Sequence, residues 1–332
     1  MDIDFVLAWV DGSDNEWQKE KAQYCGKNTS EDGREERYRD WDILKFWFRG
    51  VEKYASWVNK IFFVTWGHLP SWLDIHNPKL EIVNHASYIP GLFLPTFNSH
   101  TIELNFHRIK GLSEQFVYFN DDIFITNPVK QEDFFVNGVP KDMLALQPVV
   151  ANVDNPVMPY IYLNNSMLLA KHFDKRSNIK KQPGSYFHIS YPFMYFFYNM
   201  LEMAFPRFTG FYTVHGPSPF LKSTFETIWQ EEGDFLSSTC MHKFRDKEDA
   251  SQYLIREWQK LSGNFQPANV KKLCRYFELG NDNRKLYNTL MKKTCKMVCI
   301  NDANTAIDFN KVQQELATCF NSIFPVKSSY EL

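Results

Sequence analysis

The sequence predicts an α/β fold: a mainly parallel sheet flanked by helices, followed by a more helical C-terminal part. Three observations predict it. Short apolar runs of strand length alternate with segments of helical periodicity through the first third of the chain. The runs stop at polar turns or at glycine and proline. Two of these turns, Asp11/Asp14 and Asp121/Asp122, are acidic and fall at strand ends, the edge where ligands bind in such sheets.

Ile3 to Val10 is the first strand, and it stops at Asp11-Gly12-Ser13-Asp14. From Asn15 to Asp40 the chain is polar and reads as a loop. Helical periodicity follows from Trp41 to Tyr54, carried by Ile43, Leu44, Trp47, Phe48 and Val51. Lys60 to Thr65 is a strand ended by Gly67 and Pro70, and Leu80 to Asn84 is another. A helix is predicted over Asn98 to Ile109, then a strand over Gln115 to Phe119 that runs into Asn120-Asp121-Asp122. Beyond about residue 140 the pattern is more helical. Tyr191 to Phe205 is apolar but holds Asn199 and Glu202, so it reads as a buried or interfacial helix. A membrane span needs ~20 apolar residues, which no stretch here approaches. Past Asn264 the chain reads as short helices broken at Gly280-Asn281-Asp282-Asn283. The expected organisation is a catalytic part over residues 1–262, with a helical insertion at about 170–206, and a helical C-terminal extension over 263–332.

A net charge of −2 argues against general affinity for nucleic acid. Aromatics make up 17% of the chain, which predicts a Phe-rich core and some aromatic surface for sugars, bases or a membrane interface. Cys25, Cys240, Cys274, Cys295, Cys299 and Cys319 form no C-x-x-C pair, and Cys295 and Cys299 suit one helical face. They read as reduced thiols of a cytosolic protein. The opening Met1-Asp2-Ile3-Asp4 has no basic n-region, so no signal peptide is expected.

Several short segments carry chemistry. Adjacent carboxylates at Asp121 and Asp122, among apolar strand residues, are costly unless their charge is offset. Mg²⁺ or Mn²⁺ does this, using one or two carboxylates and leaving other positions to phosphate and water. On the residues alone, capping of the next turn is an equal reading. Asp11-Gly12-Ser13-Asp14 is by itself a turn, although Gly12 permits close backbone approach to a phosphate or base. Asn98 or Ser99 could cap the following helix, or aim its N-terminus at an anion or sugar hydroxyl. His215, fixed by Gly216, Pro217 and Pro219, is a candidate general base for a sugar hydroxyl, though a lone histidine is more often structural. Arg245 can pair with a diphosphate in a bidentate way, or form a surface salt bridge with Asp246 or Glu248. The basic run from Lys171 to Lys181 reads as a solvated face, and more sharply as a surface for an anionic polymer or membrane.

Taken together, VLAWVDGSDNEW (6–17), WVNKIFFVTWGHLPSWL (57–73), LPTFNSHTIELNFHRI (94–109) and FVYFNDDIFITNP (116–128) resemble the Stealth family. That family contains bacterial capsular and exopolysaccharide phosphotransferases and the Golgi N-acetylglucosamine-1-phosphotransferase. Its third region looks like the stretch ending in His215-Gly216-Pro217 and its fourth like His242 to Arg245, so that the resemblance covers roughly Asp4 to Trp258. The matching positions are Asp11, Gly12, Asp14, Arg37, Arg39, Asn98, Ser99, Glu103, Asn120, Asp121, Asp122, His215 and Arg245. The resemblance implies a Rossmann-like, GT-A-like sheet and transfer of a sugar 1-phosphate from a nucleotide sugar, a UDP-sugar, to a hydroxyl of a saccharide or lipid-linked oligosaccharide. It implies Asp11, Asp121, His215 and Arg245 as catalytic residues. Gly12, Asp14, Arg37, Arg39, Asn98, Ser99 and Asn120 would bind substrate, and Asp121 and Asp122 would hold Mg²⁺ or Mn²⁺. The implied location is cytoplasmic, peripheral at the inner face of the plasma membrane. Ala8 stands where Thr is commoner, Asn15 where Pro is, and Trp66-Gly67-His68 where an Asp-Gly pair is usual. These departures bear on the donor more than on the reaction. The alternative is a metal-dependent glycosyltransferase that attacks the anomeric carbon and releases UDP.

Overall fold

The computed structural model describes residues 2–25, 40–153, 155–302 and 307–332. Arg37 and Arg39 lie outside them. The elements begin β1 (Ile3–Ala8), α1 (Asn15–Tyr24), α2 (Leu44–Tyr54), β2 (Ile61–Thr65), β3 (Leu80–Asn84), α3 (Ser99–Leu104), β4 (Gln115–Asn120), β5 (Ile123–Ile125), β6 (Phe135–Val136) and β7 (Val139–Asp142). They continue with α4 (Val157–His172), α5 (Lys175–Lys181), α6 (Pro183–Tyr186), α7 (Phe193–Glu202), β8 (Ser218–Leu221), α8 (Lys222–Glu231), α9 (Gly233–Met241) and α10 (Gln252–Leu261). The C-terminal part holds β9 (Gln266–Pro267), β10 (Cys274–Glu278), α11 (Arg284–Met291), β11 (Met297–Asn301) and α12 (Phe309–Ile323).

The central sheet has the order β3-β2-β1-β4-β8. Its first four strands are parallel and β8 runs antiparallel beside β4. This is the mainly parallel α/β architecture the alternation predicts. A central parallel strand is covered on both faces, which is why β1 is apolar almost throughout. Alternate side chains of β1 feed two cores. Phe5 and Leu7 join the core that holds Trp47 of α2 and Phe320 of α12, while Val6 joins the core of Phe116, Phe220 and Leu254 on the other face. The polar exception, Asp4, is fully buried and accepts hydrogen bonds from Asn59 Nδ2, Lys60 N and Ser113 N. It ties the amino ends of three adjacent strands.

Two expectations are corrected. The polar stretch after Asp14 is not wholly loop, because α1 forms there. Asp14 Oδ1 accepts from Trp17 N at its N-terminus, and Trp17 is its one buried residue. The segment from 263 onward is not simply helical. β10 and β11 pair in parallel, and β11 runs antiparallel to β5. Met297–Asn301 is an apolar run of strand length, and the pairing with β5 overrides the helical spacing of Cys295 and Cys299. The C-terminus is held further by Arg49 of α2. Its guanidinium donates to both oxygens of Glu331 and to the carbonyl of Phe324. Among the described residues, no helix is long and apolar enough to cross a membrane.

Candidate active site

The parallel register sets Asn120 beside Ala8, so the acidic turn after β4 opens at the carboxyl edge of the sheet, next to the end of β1. A cavity of about 1120 Å³ lies there. Asn120, Asp121 and Asp122 form part of its lining, and His215 and Arg245 line it from loops far along the chain. Arg275, Tyr276 and Asn301, on and beside β10 and β11, contribute more of the lining. The C-terminal strands therefore build part of the site, which the sequence pattern alone gave no means of seeing.

His215 is held at both ring nitrogens. Nε2 lies 3.2 Å from Asp122 Oδ2, and Nδ1 lies 3.2 Å from the hydroxyl of Tyr253. The Tyr276 ring meets the imidazole edge-on. Burial alone would lower the pKa of His215, but the hydrogen bond and charge of Asp122 outweigh it and raise the value. Asp122 also accepts from the Cys299 thiol at 3.2 Å. Burial pushes that thiol far up, so it remains protonated and serves as a donor. Desolvation, reinforced by the charges of Asp122 and Asp40, pushes Asp121 up to about 7.

Arg245 is positioned by α3. Ser99 Oγ accepts from Arg245 Nε at 3.0 Å and from Nη2 at 2.7 Å, and hydrogen-bonds Glu103. Glu103 is buried in the same wall, accepts from the Tyr118 hydroxyl, and is pushed up to about 7 by its desolvation despite the nearby Arg245. The loop carrying Arg245 closes on a buried hub, Asp249. Its carboxylate accepts from Asn98 Nδ2 and Asp246 N, and meets His100 Nδ1 at 3.0 Å and His242 Nδ1 at 2.7 Å. Burial opposes ionisation of Asp249, but its two histidine partners outweigh that and hold its pKa below the ordinary value. Nothing in the local sequence marks Asp249 or Tyr253, since both act through partners distant in the chain.

The remaining expected residues take other places. Asn98 caps α3 and is fully buried, with its amide engaged by Asp249, the Phe244 carbonyl and His100 N. Asn98 thus fixes the Arg245 loop. Ser99 stands behind Arg245. Asp11, Gly12 and Asp14 form the turn that starts α1, off the cavity lining. Asp11 Oδ1 accepts from Ser13 N and Oγ, and Asp11 N donates to His68 Nε2. His68 occupies the departure from the usual Asp-Gly and packs on Trp9, which lines the cavity.

The donor set suits a hard divalent cation. Two adjacent carboxylates face one cavity, and the buried Oδ1 of Asp122 has no hydrogen-bond partner among the described residues. Asp121 retains its proton to about pH 7 when no cation offsets its charge. Asp122, His215 and Cys299 also place ligand atoms within 4.8 Å of one another, but the protonated thiol makes that a poorer soft-metal set.

Comparison with known proteins gives three matched regions. Stealth protein conserved region 1 matches residues 1–29, conserved region 2 matches 37–143 and conserved region 4 matches 288–332. The fourth region thus lies at the C-terminal end, not at His242 to Arg245, and the likeness runs well past Trp258. A capsular polysaccharide phosphotransferase of Streptococcus pneumoniae is 41% identical over 331 residues, 99% of this chain and 98% of that one. A receptor polysaccharide phosphotransferase of Streptococcus gordonii is 38% identical over 334 residues, 99% of each chain. An exopolysaccharide phosphotransferase of Lactiplantibacillus plantarum is 38% identical over 340 residues, 99% of this chain and 96% of that one. Among solved structures, a galactosyltransferase, LgtC, in complex with donor and acceptor sugar analogs aligns over 98% of each chain, at 9% identity and a TM-score of 0.40.

Proposed function

The chain belongs to the Stealth family and is a phosphotransferase, and from that premise we propose that it transfers a sugar 1-phosphate from a UDP-sugar to a hydroxyl of a saccharide acceptor in capsular or exopolysaccharide synthesis. The observation that carries this reading is the meeting of His215, Arg245 and the Asp121-Asp122 pair in one cavity, a base and a cation facing paired carboxylates.

His215 takes up the acceptor's proton at Nδ1 through the Tyr253 hydroxyl that stands on it: Tyr253 passes its proton to Nδ1 and receives that of the acceptor, while Nε2–H is directed at Asp122. Asp122 stabilises the imidazolium that results, and the Tyr253 hydroxyl on Nδ1 fixes the ring. The acceptor oxygen forms a bond to the sugar-bearing phosphorus as the bridging P–O bond breaks, and UMP leaves with the bridging oxygen. The anomeric C–O bond is untouched, so the sugar keeps its configuration. Arg245, held by Ser99 beside the buried Glu103, stabilises charge on the phosphoryl oxygens. Asp121 and Asp122 would hold Mg²⁺ or Mn²⁺, which when bound neutralises diphosphate charge as a Lewis acid. Asn120 lies beside them to contact the donor. The Asp11-Gly12-Ser13-Asp14 turn, outside the lining, shapes the nucleotide end through His68 and Trp9, and Arg37 and Arg39 bind donor as the family resemblance implies. The acceptor is carried on a lipid at the inner face of the plasma membrane, where the enzyme associates peripherally.

Turnover with a panel of UDP-sugars and a saccharide acceptor tests the reading. UMP release with a phosphodiester resonance in the ³¹P spectrum is the expected result. UDP release without UMP would mean attack at carbon, and would overturn it.

A further inference from the structure

The polarity of α7 is inverted. Between Ile189 and Pro206 the only charged residue is Glu202, and it points inward, buried at 3% exposure. Lys175 Nζ donates to its carboxylate at 3.1 Å and to its backbone carbonyl at 2.7 Å. Asn199 also faces inward and is fully engaged, accepting from Leu146 N and donating to the carbonyls of Leu144 and Tyr186. The outward face carries the apolar side chains instead. Ile189 is 96% exposed and Phe193 81%, while Phe197, Met200, Leu201 and Phe205 are 45–53% exposed. The buried polar groups fix the orientation of the helix, so this apolar face stays outward. Soluble monomers rarely carry such a continuous patch without a partner for it.

We propose that the outer face of α7 is a membrane-docking surface, lying in the plane of an anionic phospholipid bilayer. An in-plane helix of this kind buries its apolar face ~5–10 Å into the headgroup boundary and gains from basic residues around it. Those residues are present. Arg176, Lys180 and Lys181 on α5, and Arg207 after α7, are all exposed. Lys175 joins the start of α5 to the end of α7, since its Nζ also donates to the Arg207 carbonyl. The exposed acid beside them, Asp174, is the N-cap of α5. An anionic lipid surface complements this fringe, whereas a second copy of the chain would present the same positive charge to it.

The back of α7 touches the active-site wall. Tyr195 packs on Tyr212 with ring centroids 4.4 Å apart, and its hydroxyl accepts from Lys271 Nζ at 2.8 Å. Tyr212 and Lys271 both line the cavity. Docking through α7 thus sets the bilayer one helix and one side-chain layer from the site. Access to a lipid-borne acceptor rests on the function proposed above, while the docking itself rests on α7.

Flotation with vesicles of equal parts phosphatidylcholine and phosphatidylglycerol, against pure phosphatidylcholine, tests it. Wild type is expected to float with the anionic vesicles and to release them as salt rises. The triple variant Phe193→Ser, Phe197→Ser, Leu201→Ser is expected to lose about tenfold or more in vesicle affinity. Its melting temperature and its UMP release with a water-soluble acceptor should stay at wild-type values. The pair Lys180→Glu, Lys181→Glu should lose the preference for phosphatidylglycerol. Absence of wild-type binding to anionic vesicles would overturn the proposal. So would a wild-type dimer in sedimentation that the triple variant dissolves while vesicle binding persists. Vesicle binding without any UMP release would leave the docking surface standing and remove the phosphotransfer reading.

Discussion

His215 illustrates how much of this site is decided by single contacts. An imidazole on a loop is free to rotate and to choose its tautomer. Here Asp122 and Tyr253 engage opposite nitrogens, so the ring is fixed before substrate arrives. The two partners carry different weight. Replacing His215 by Gln removes the base and is expected to lower kcat by about 10²–10⁴. Tyr253→Phe keeps the base and its carboxylate partner but frees Nδ1. It is expected to lower kcat by about tenfold with little change in KM, a loss at the lower end of what such outer partners usually carry. Steady-state rates of UMP formation, with circular dichroism melts as a control for folding, measure both. Wild-type turnover by His215→Gln would remove the histidine from the chemistry. A Tyr253→Phe effect confined to KM would assign the tyrosine to binding.

At the scale of elements, the parts legible in the sequence are those whose side chains report their own surroundings. β1, β2 and β4 are apolar on both faces because both are covered, and α2 shows helical spacing because one face lies on the sheet. Asp121 and Asp122 were legible as a site because carboxylates at the end of such a strand need a reason to be there. What stayed hidden depends on partners far along the chain. α1 has one buried residue and starts from an Asp14 cap, so it carries almost no periodic signal. β10 and β11 are strands because β5 is there to be paired, about 170 positions earlier, and no local pattern encodes that. Asp249 looks like any surface acid in Lys247-Glu248-Asp249 until α3 folds against it. The junction of α2 with β5 gives this a measurable form. A Cβ added at Gly50 would lie 2.4 Å from the Ile125 carbonyl oxygen, a backbone atom that cannot swing aside. Gly50→Ala is therefore expected to destabilise by about 1–3 kcal/mol or more, despite the better helix propensity of alanine. Chemical denaturation reads this directly, and a neutral or stabilising result would show that α2 and β5 are not in such close contact.

Over the whole molecule, the buried carboxylates include two groups with opposite consequences for pH. Asp142 and Asp249 are held below their ordinary values: burial opposes ionisation in each, but Arg256 and Lys260 outweigh it for Asp142, and His100 and His242 for Asp249. Their contribution is fully present above the unfolded value of ~3.9 and is lost as pH falls through the lower folded value. Glu103 behaves in the other direction. It ionises near 4.5 in the unfolded chain and at about 7 in the fold, because desolvation outweighs the attraction of Arg245, Tyr118, His215 and Ser99. Between those values the folded protein holds a proton that the unfolded chain gives up. Its contribution is complete below about 4.5 and declines as pH rises to about 7. The slope over that range approaches about 1.4 kcal/mol per pH unit for one such group. Asp142 and Asp249 set the acid limb. Toward neutrality Asp121 and Glu257, also pushed up to about 7, decline in contribution with Glu103. His85 and His107, held down to about 3 by burial, add stability as pH rises, so the share of Glu103 is read as a difference between wild type and variant. Glu103→Gln isolates that share. The amide oxygen can still accept from Tyr118, but it has no proton to lose, so from pH 5 to 7 the variant should gain on wild type by up to about 1.4 kcal/mol per pH unit while the acid limb stays in place. Melting temperatures taken across pH 3 to 8 on wild type and variant decide it. If the difference in stability between variant and wild type does not change from pH 5 to 7, then Glu103 is ionised in the fold and acts as a fixed counter-charge to Arg245.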